Sequence, residues 1–235
     1  MHRPPHRTPF TTTALHSGTP LPTEYERMAR EAFTLLGHPD ADVQLDPSLP
    51  HEKDCACSVI GSIYPMGMHI QHGSRANPLQ PGTVWPTIMM SAASASDHSL
   101  LKRHVLCASI CAVFAVGALA LPARRLPASP ILGRVLATAV SLPVCLLADD
   151  VFNRYAVSRA DDLVVDALAR SNLDGPLGVY LGRTMSDNVV FVLPYQIVPS
   201  PTGAERFGRM RARLDRKWGL SAYQLVANAA DPVFD

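Results

Sequence analysis

The side chains that could do chemistry in this sequence are few, and their spacing excludes most kinds of it. Nine histidines stand at His2, His6, His16, His38, His51, His69, His72, His98 and His104, and only His2 and His6 are four apart, with Pro4-Pro5 between them breaking any helix there. A helix that binds zinc through two imidazoles needs that i, i+4 spacing, with a glutamate beside the first to activate the metal-bound water. His69-x-x-His72 falls at the end of an expected strand, where alternate residues share a face and i, i+3 do not. His98 and His104 are six apart and fall on different faces of a helix. Ser91 has no base near it and Ser94 only His98 four residues on, outside any nucleophile motif, so nucleophilic catalysis lacks support. Cys55 and Cys57 are too close for an ordinary disulfide and are not a C-x-x-C pair. No phosphate-binding Gly loop and no basic–aromatic interleaving of a nucleic-acid binder is present. What remains is carboxylates. Asp149-Asp150 follow an apolar segment and mark a membrane–water boundary, while Asp162 and Asp166 are four apart and share a helix face.

The elements that must position these groups are organised around residues 102–150. Two apolar segments, 104–121 and 131–148, flank a short linker, 122–130, carrying Arg124 and Arg125. Each segment holds 18 residues, so as a helix it rises about 27 Å, close to a hydrocarbon core of about 30 Å. The first has no ionisable residue after His104 and is bracketed by Lys102-Arg103 and Arg124-Arg125, the pattern of a span with interfacial anchors. The second contains Pro143 and, one turn in, Arg134, which can snorkel to the headgroups. The expectation is a transmembrane helical hairpin; a buried hairpin in a soluble domain is the alternative.

Before the hairpin, Thr23 and Glu26 form a capping box that opens a helix closed by Gly37. Residues 40–54 read as acid- and Pro-rich loop, 57–70 as two short strands broken at 64–67, 73–86 as loop, and 87–104 as helix running straight into the first apolar segment. After the hairpin, 149–172 reads as one helix leaving the membrane. Gly175-Pro176 starts a short helix through Met185, and Val189 to Val198 an edge strand or extended loop. A second capping box, Thr202 to Glu205, opens a basic helix to about Lys217 whose cations point nearly all round, as for a solvated helix or one lying on a membrane surface.

Composition narrows the class. Hydrophobic residues are 47% and charged residues 17% of 235, and most of the charge deficit comes from the hairpin. A net charge of +1 excludes strong electrostatic recruitment to nucleic acid or to an anionic membrane. Of the five cysteines, Cys107, Cys111 and Cys145 lie in the apolar segments and behave there as small hydrophobes. The first residues, through 22, hold Arg and Ser/Thr without acids, as a mitochondrial presequence does, but their prolines favour a disordered tail.

Three pieces in order carry a resemblance: SAASASDHSLLKRH (91–104), the hairpin, and SRADDLVVDALA (158–169) followed by PSPTGAERFGRMRARL (199–214). The chain resembles the membrane-embedded zinc metallopeptidases related to the CAAX prenyl proteases and to bacterial heat-shock membrane proteases. In that family a helix with H-E-x-x-H precedes a hydrophobic hairpin, and a helix with E-x-x-A-D follows it. Asp162 takes the Glu position, Val165 the Ala and Asp166 the Asp. Pro199-Ser200 and Arg206 match a segment near the family's C-terminus, with Val198 where the family has His. At the first motif this chain has Ser91, Ala92 and Ala95, so the resemblance implies a degenerate member without zinc ligands or general base.

The fold expected is therefore mostly α with a small β element, a membrane hairpin inserted between two helical regions (23–103 and 149–235) of a degenerate zincin-like domain. The expected function is a non-catalytic pseudopeptidase in an intracellular membrane, such as the endoplasmic reticulum or mitochondrion, without cofactor or nucleic acid, binding a protein or peptide partner. An active zinc peptidase with other ligands, or a two-span structural or assembly protein, are the alternatives. If the resemblance holds, the helices bearing 91–95 and 162–166 pack side by side, with Ser91, Ser94 or backbone N–H groups as donors to Asp162 and Asp166.

Overall fold

The computed structural model describes residues 22–46, 57–61, 66–72, 81–120, 130–186, 198 and 200–230. Among them seven helices and three strands follow one another: α1 (Pro22–Leu35), β1 (Asp42–Leu45), β2 (Cys57–Gly61), β3 (Gly67–His72), α2 (Pro81–Ser96), α3 (Ser99–Ala120), α4 (Pro130–Arg170), α5 (Asp174–Ser186), α6 (Gly203–Trp218) and α7 (Ala222–Ala230). The chain is mostly helical with one small sheet, as its sequence leads one to expect. The expected N-terminal tail, the linker through Ser129 and most of the expected edge strand before Val198 lie outside the described residues.

In α1, Tyr25, Met28, Ala29, Ala32 and Phe33 recur at helical spacing and are all buried. Gly37 ends it: at φ +88° its N–H reaches the Thr34 carbonyl (3.1 Å) while the His38 N–H reaches that of Phe33 (2.8 Å). Only a residue free of Cβ strain adopts that left-handed φ cheaply, which is why the closing residue is glycine. The sheet has the order β1-β3-β2, with β3 parallel to β1 and antiparallel to β2. Strand β1 stands in the stretch expected to be loop. Its alternation puts Val43 opposite Met68 and Leu45 opposite Ile70, and this non-local pairing outweighs the acidic, proline-rich composition around it.

Helix α2 begins at Pro81, inside the second expected loop, because a proline in the first turn forfeits only an N–H that would go unbonded anyway. It buries Val84, Trp85, Ile88, Met89, Ala92, Ala93 and Ala95. The expected unbroken run into the apolar segment is broken at Asp97-His98. His98 takes φ +52°, and the axis turns by 52°. Asp97 holds the corner, accepting from Ser99 Oγ (3.2 Å) and pairing with Lys102 (3.0 Å) and Arg159 (3.5 Å).

Beyond the corner α3 and α4 form an antiparallel hairpin. Arg103 grips Asp149 at its base, with Nη2 at 2.6 Å from Oδ2, and Cys111 meets Cys145 further out. Leu101, Val105, Val113 and Val116 on α3 and Leu142, Val144, Leu147 and Val151 on α4 are exposed, Val113 by 71%. Among the described residues no single helix is long and apolar enough to cross a membrane. One bent pair, Val84–Ser96 with Leu101–Val116, meets that test by length and composition only, and its first half is buried in protein.

The chain on either side of the hairpin shares one core. Tyr25, Phe33, Ile88 and Met89 belong to the same cluster as Val164, Leu168, Leu177, Leu181, Met210 and Leu214. At the C-terminal end α5 crosses α7 so closely at Gly178 that a Cβ there would collide with the Leu225 carbonyl. Helix α7, which follows Gly219 and opens at Ser221, whose Oγ accepts the Gln224 N–H at 3.5 Å, covers that crossing with Ala222 and Leu225.

Candidate functional site

Helix α4 leaves the hairpin as a single element of 41 residues and carries Asp161, Asp162 and Asp166 into the domain. Helix α6 lies along it and presents Arg206, Arg209, Arg213 and Lys217, spaced so that successive turns bring a cation to one face. Asp161 is fully buried. Arg206 grips it with both prongs, Nη2 to Oδ1 at 2.7 Å and Nε to Oδ2 at 2.9 Å. Arg209 Nη2 adds 3.1 Å to Oδ2, and the buried Tyr180 hydroxyl donates to Oδ1 at 2.8 Å. With four charge-assisted or hydroxyl donors the carboxylate is satisfied in a site that excludes water. Arg206 Nη2 also reaches Met90 Sδ at 3.5 Å, so one guanidinium touches α2 and α4 together. Arg209 donates to the Ser158 hydroxyl as well, while its Nε is buried with no partner among the described residues.

One turn on, Asp166 accepts from Arg213 Nε (2.9 Å) and Nη2 (2.6 Å), Lys217 Nζ (2.6 Å) and Trp218 Nε1 (3.1 Å). Burial pushes its carboxyl up, but the bonds from Arg213, Lys217 and Trp218 win and hold it well below the usual carboxylate range. Among the described residues Asp162 has a single bond, from Arg213 Nη1 at 3.2 Å. Burial therefore dominates there, and with Asp166 and Asp161 adding repulsion its carboxyl is raised against the pull of Arg213 and Arg209. Tyr180 is raised well above an ordinary phenol by burial and by the Asp161 charge.

These contacts correct two expectations. The basic helix is not ringed by solvated cations: Arg206, Arg209, Arg213 and Lys217 lock onto α4. Of the rest, Arg211 lies over the Tyr223 ring at 5.6 Å and Arg216 is exposed. The donors to Asp162 and Asp166 are Arg213, Lys217 and Trp218 in place of Ser91, Ser94 or backbone N–H groups. Helix α2 does pack against α4. On it Ala92 and Ala95 are buried and Ser91 and Ser94 half-buried. His69, His98 and His104 are exposed and dispersed, and Asp150 accepts the Val198 N–H at 3.0 Å. Cys55 lies outside the described residues.

Sequence reasoning passed over Asp161, the most buried carboxylate of the set. The signal was present, as cations at 206, 209, 213 and 217 face acids at 161, 162 and 166. Aligning Asp162 with the glutamate of E-x-x-A-D drew attention one residue away.

The zinc that the resemblance implies does not suit these residues. A catalytic zinc needs three protein ligands. Ser91, Ala92 and Ala95 supply neither imidazole nor carboxylate, and Asp162 and Asp166 are held by cations that would repel a metal ion. Among the described residues no three His, Cys, Asp or Glu side chains come together as a metal site. No family profile, curated protein or solved structure matches this chain.

Proposed function

We propose that this chain is a membrane-anchored, metallopeptidase-like protein without peptidase chemistry, whose helical domain binds a polypeptide partner at the membrane surface. The observation that carries the anchoring is the hairpin. Both arms turn apolar side chains outward, Leu101, Val105, Val113 and Val116 on one and Leu142, Val144, Leu147 and Val151 on the other, and the arms pack on each other. Apolar side chains exposed along two helices are stabilised by lipid or by a partner and are costly in water. The charged pair Arg103–Asp149 stands at the base, where an interface would lie.

The metallopeptidase likeness is supported by the order of parts and their packing: α2, then the hairpin, then α4 against α2. The reading without peptidase chemistry is supported by the donor set, in which the carboxylates nearest the family's motif dock α6. The two-span structural reading draws on that same docking, since a carboxylate–guanidinium lock explains Asp162 and Asp166 without peptidase ancestry.

Carbonate extraction of membranes followed by metal analysis of the purified full chain tests the proposal. The expected result is retention in the membrane pellet, well under one zinc per chain, and no cleavage of unstructured peptides. Release into the soluble fraction would overturn the anchor. Zinc near one equivalent, lost in Asp162→Ala, would overturn the non-catalytic reading and favour an active peptidase.

A further inference from the structure

Two of the three hairpin cysteines meet across its arms. Cys111 Sγ on α3 stands 3.7 Å from Cys145 Sγ on α4, and both are free thiols. Cys107 lies one turn nearer the base on the α3 arm, within the same stretch of the hairpin. A sulfur pair at contact distance on two adjacent helices needs an approach of about 1.7 Å to reach a bond of about 2.05 Å. A change of χ1 in one residue moves a sulfur farther than that.

We propose that Cys111 and Cys145 form a reversible disulfide that staples the hairpin, with Cys111 as the thiol that reacts first. Cys111 is the exposed member and Cys145 is half-buried, so access selects the order. The co-reactant is an organic disulfide, R–S–S–R. The Cys111 thiolate attacks one of its sulfurs, the S–S bond breaks, and RS⁻ leaves, giving the mixed disulfide Cys111–S–S–R. The Cys145 thiolate then attacks the Cys111 sulfur, forming the Cys111–Cys145 bond and releasing a second RS⁻. Two electrons pass from the two cysteines to the reagent, and the two protons they lose end on two RSH molecules.

The bond would sit about 12 Å along α3 from Arg103 and about 6 Å along α4 from Asp149, by helix rise. The described contacts across the arms are otherwise that exposed ion pair and side-chain packing. A covalent tie one to two turns further out converts two arms that can slide or splay into one rigid unit. It does so whether lipid or protein surrounds the hairpin, so this inference stands apart from the membrane anchor.

The test treats the purified full chain in detergent with 4,4′-dithiodipyridine, counts thiols, and maps linked peptides by mass. The expected result is loss of two of the five thiols, one intramolecular link joining Cys111 to Cys145, and full recovery on reduction. Cys107→Ser should still lose two thiols, whereas Cys111→Ser and Cys145→Ser should lose none to an internal link. The same treatment in guanidinium, where the folded geometry is gone, should give mixed pairings. Retention of all thiols in the folded chain, a Cys107–Cys145 link, or chain-to-chain dimers would overturn the proposal.

Discussion

Asp161 shows how a buried charge fixes what its neighbours do. Taken alone, an ionised carboxylate with no exposed surface is costly to hold away from water. Here Arg206, Arg209 and Tyr180 surround it, and each of them spends a donor on it that has been withdrawn from water. Removing one member therefore costs more than its own bond, because the others are left buried and charged. Asp161→Asn should destabilise the fold by about 3–5 kcal/mol. Tyr180→Phe leaves both guanidiniums paired and loses one bond to a charged acceptor, so it should cost about 1.5–3 kcal/mol. Denaturant unfolding of the purified variants measures both, and the ordering matters more than the values. Equal costs would mean that the charges contribute no more than the hydroxyl. At this scale the sequence was legible in type and misleading in position. It shows acids on α4 and bases on α6, but a single chain cannot say which of Asp161 and Asp162 turns inward. Adjacent residues on a helix differ by about 100°, and the packing decides.

Helix α6 is the element whose local signals were the clearest. Its capping box stands as read from Thr202 and Glu205: the Thr202 N–H reaches Glu205 Oε2 at 2.8 Å and the Glu205 N–H reaches Thr202 Oγ1 at 3.2 Å. Caps and breakers involve residues within a turn of one another, so α5, α6 and the end of α1 at Gly37 were visible in the sequence. The expected capping box of α1 is not formed: the helix begins at Pro22, takes Thr23 inside, and Glu26 pairs with Arg30. Strand β1 and the docked face of α6 depend on partners far along the chain and were not visible. The docking makes the α4–α6 contact sensitive to acid, with opposite signs at two neighbouring carboxylates. Asp166 titrates in the fold below its unfolded value of about 3.9. Its stabilisation is thus present above that pH and is lost as pH falls below about 4 toward the folded value. Asp162 titrates in the fold above its unfolded value, so its contribution is present below about pH 4 and is lost as pH rises through the folded value. Asp166→Asn should therefore destabilise at neutral pH and flatten the acid decline. Asp162→Asn should be neutral or stabilising at pH about 7. Unfolding midpoints of both variants from pH about 3 to 8 check the pair. A destabilising Asp162→Asn at neutral pH would mean that Arg213 and Arg209 outweigh burial at Asp162, reversing its sign.

For the whole molecule, the shared core decides where the two ends of the chain must lie. Residues before the hairpin, such as Phe33 and Met89, and residues after it, such as Leu168 and Leu214, are buried in one cluster. They occupy one compartment whatever surrounds the hairpin. The arms α3 and α4 leave this body at Asp97 and return through Asp149, which Arg103 ties to the outgoing arm. Each apolar segment rises about 27 Å, against a hydrocarbon core of about 30 Å, so two arms embedded in a bilayer deliver the linker to its far side. Charge does not choose which side that is: Arg124, Arg125 and Arg134 at the tip roughly balance Lys102, Arg103, Arg154 and Arg159 at the base. The proposed anchor nevertheless fixes the relative arrangement. Single cysteines placed in a cysteine-free chain at the linker, 123–129, and in exposed positions of the domain such as Thr34 and Ala212 should react with a membrane-impermeant maleimide from opposite faces of sealed vesicles. Thr34 and Ala212 must always label together. A linker cysteine that labels from the same face as these two would mean that the hairpin lies against protein or along the surface, and the transmembrane anchor would have to be given up.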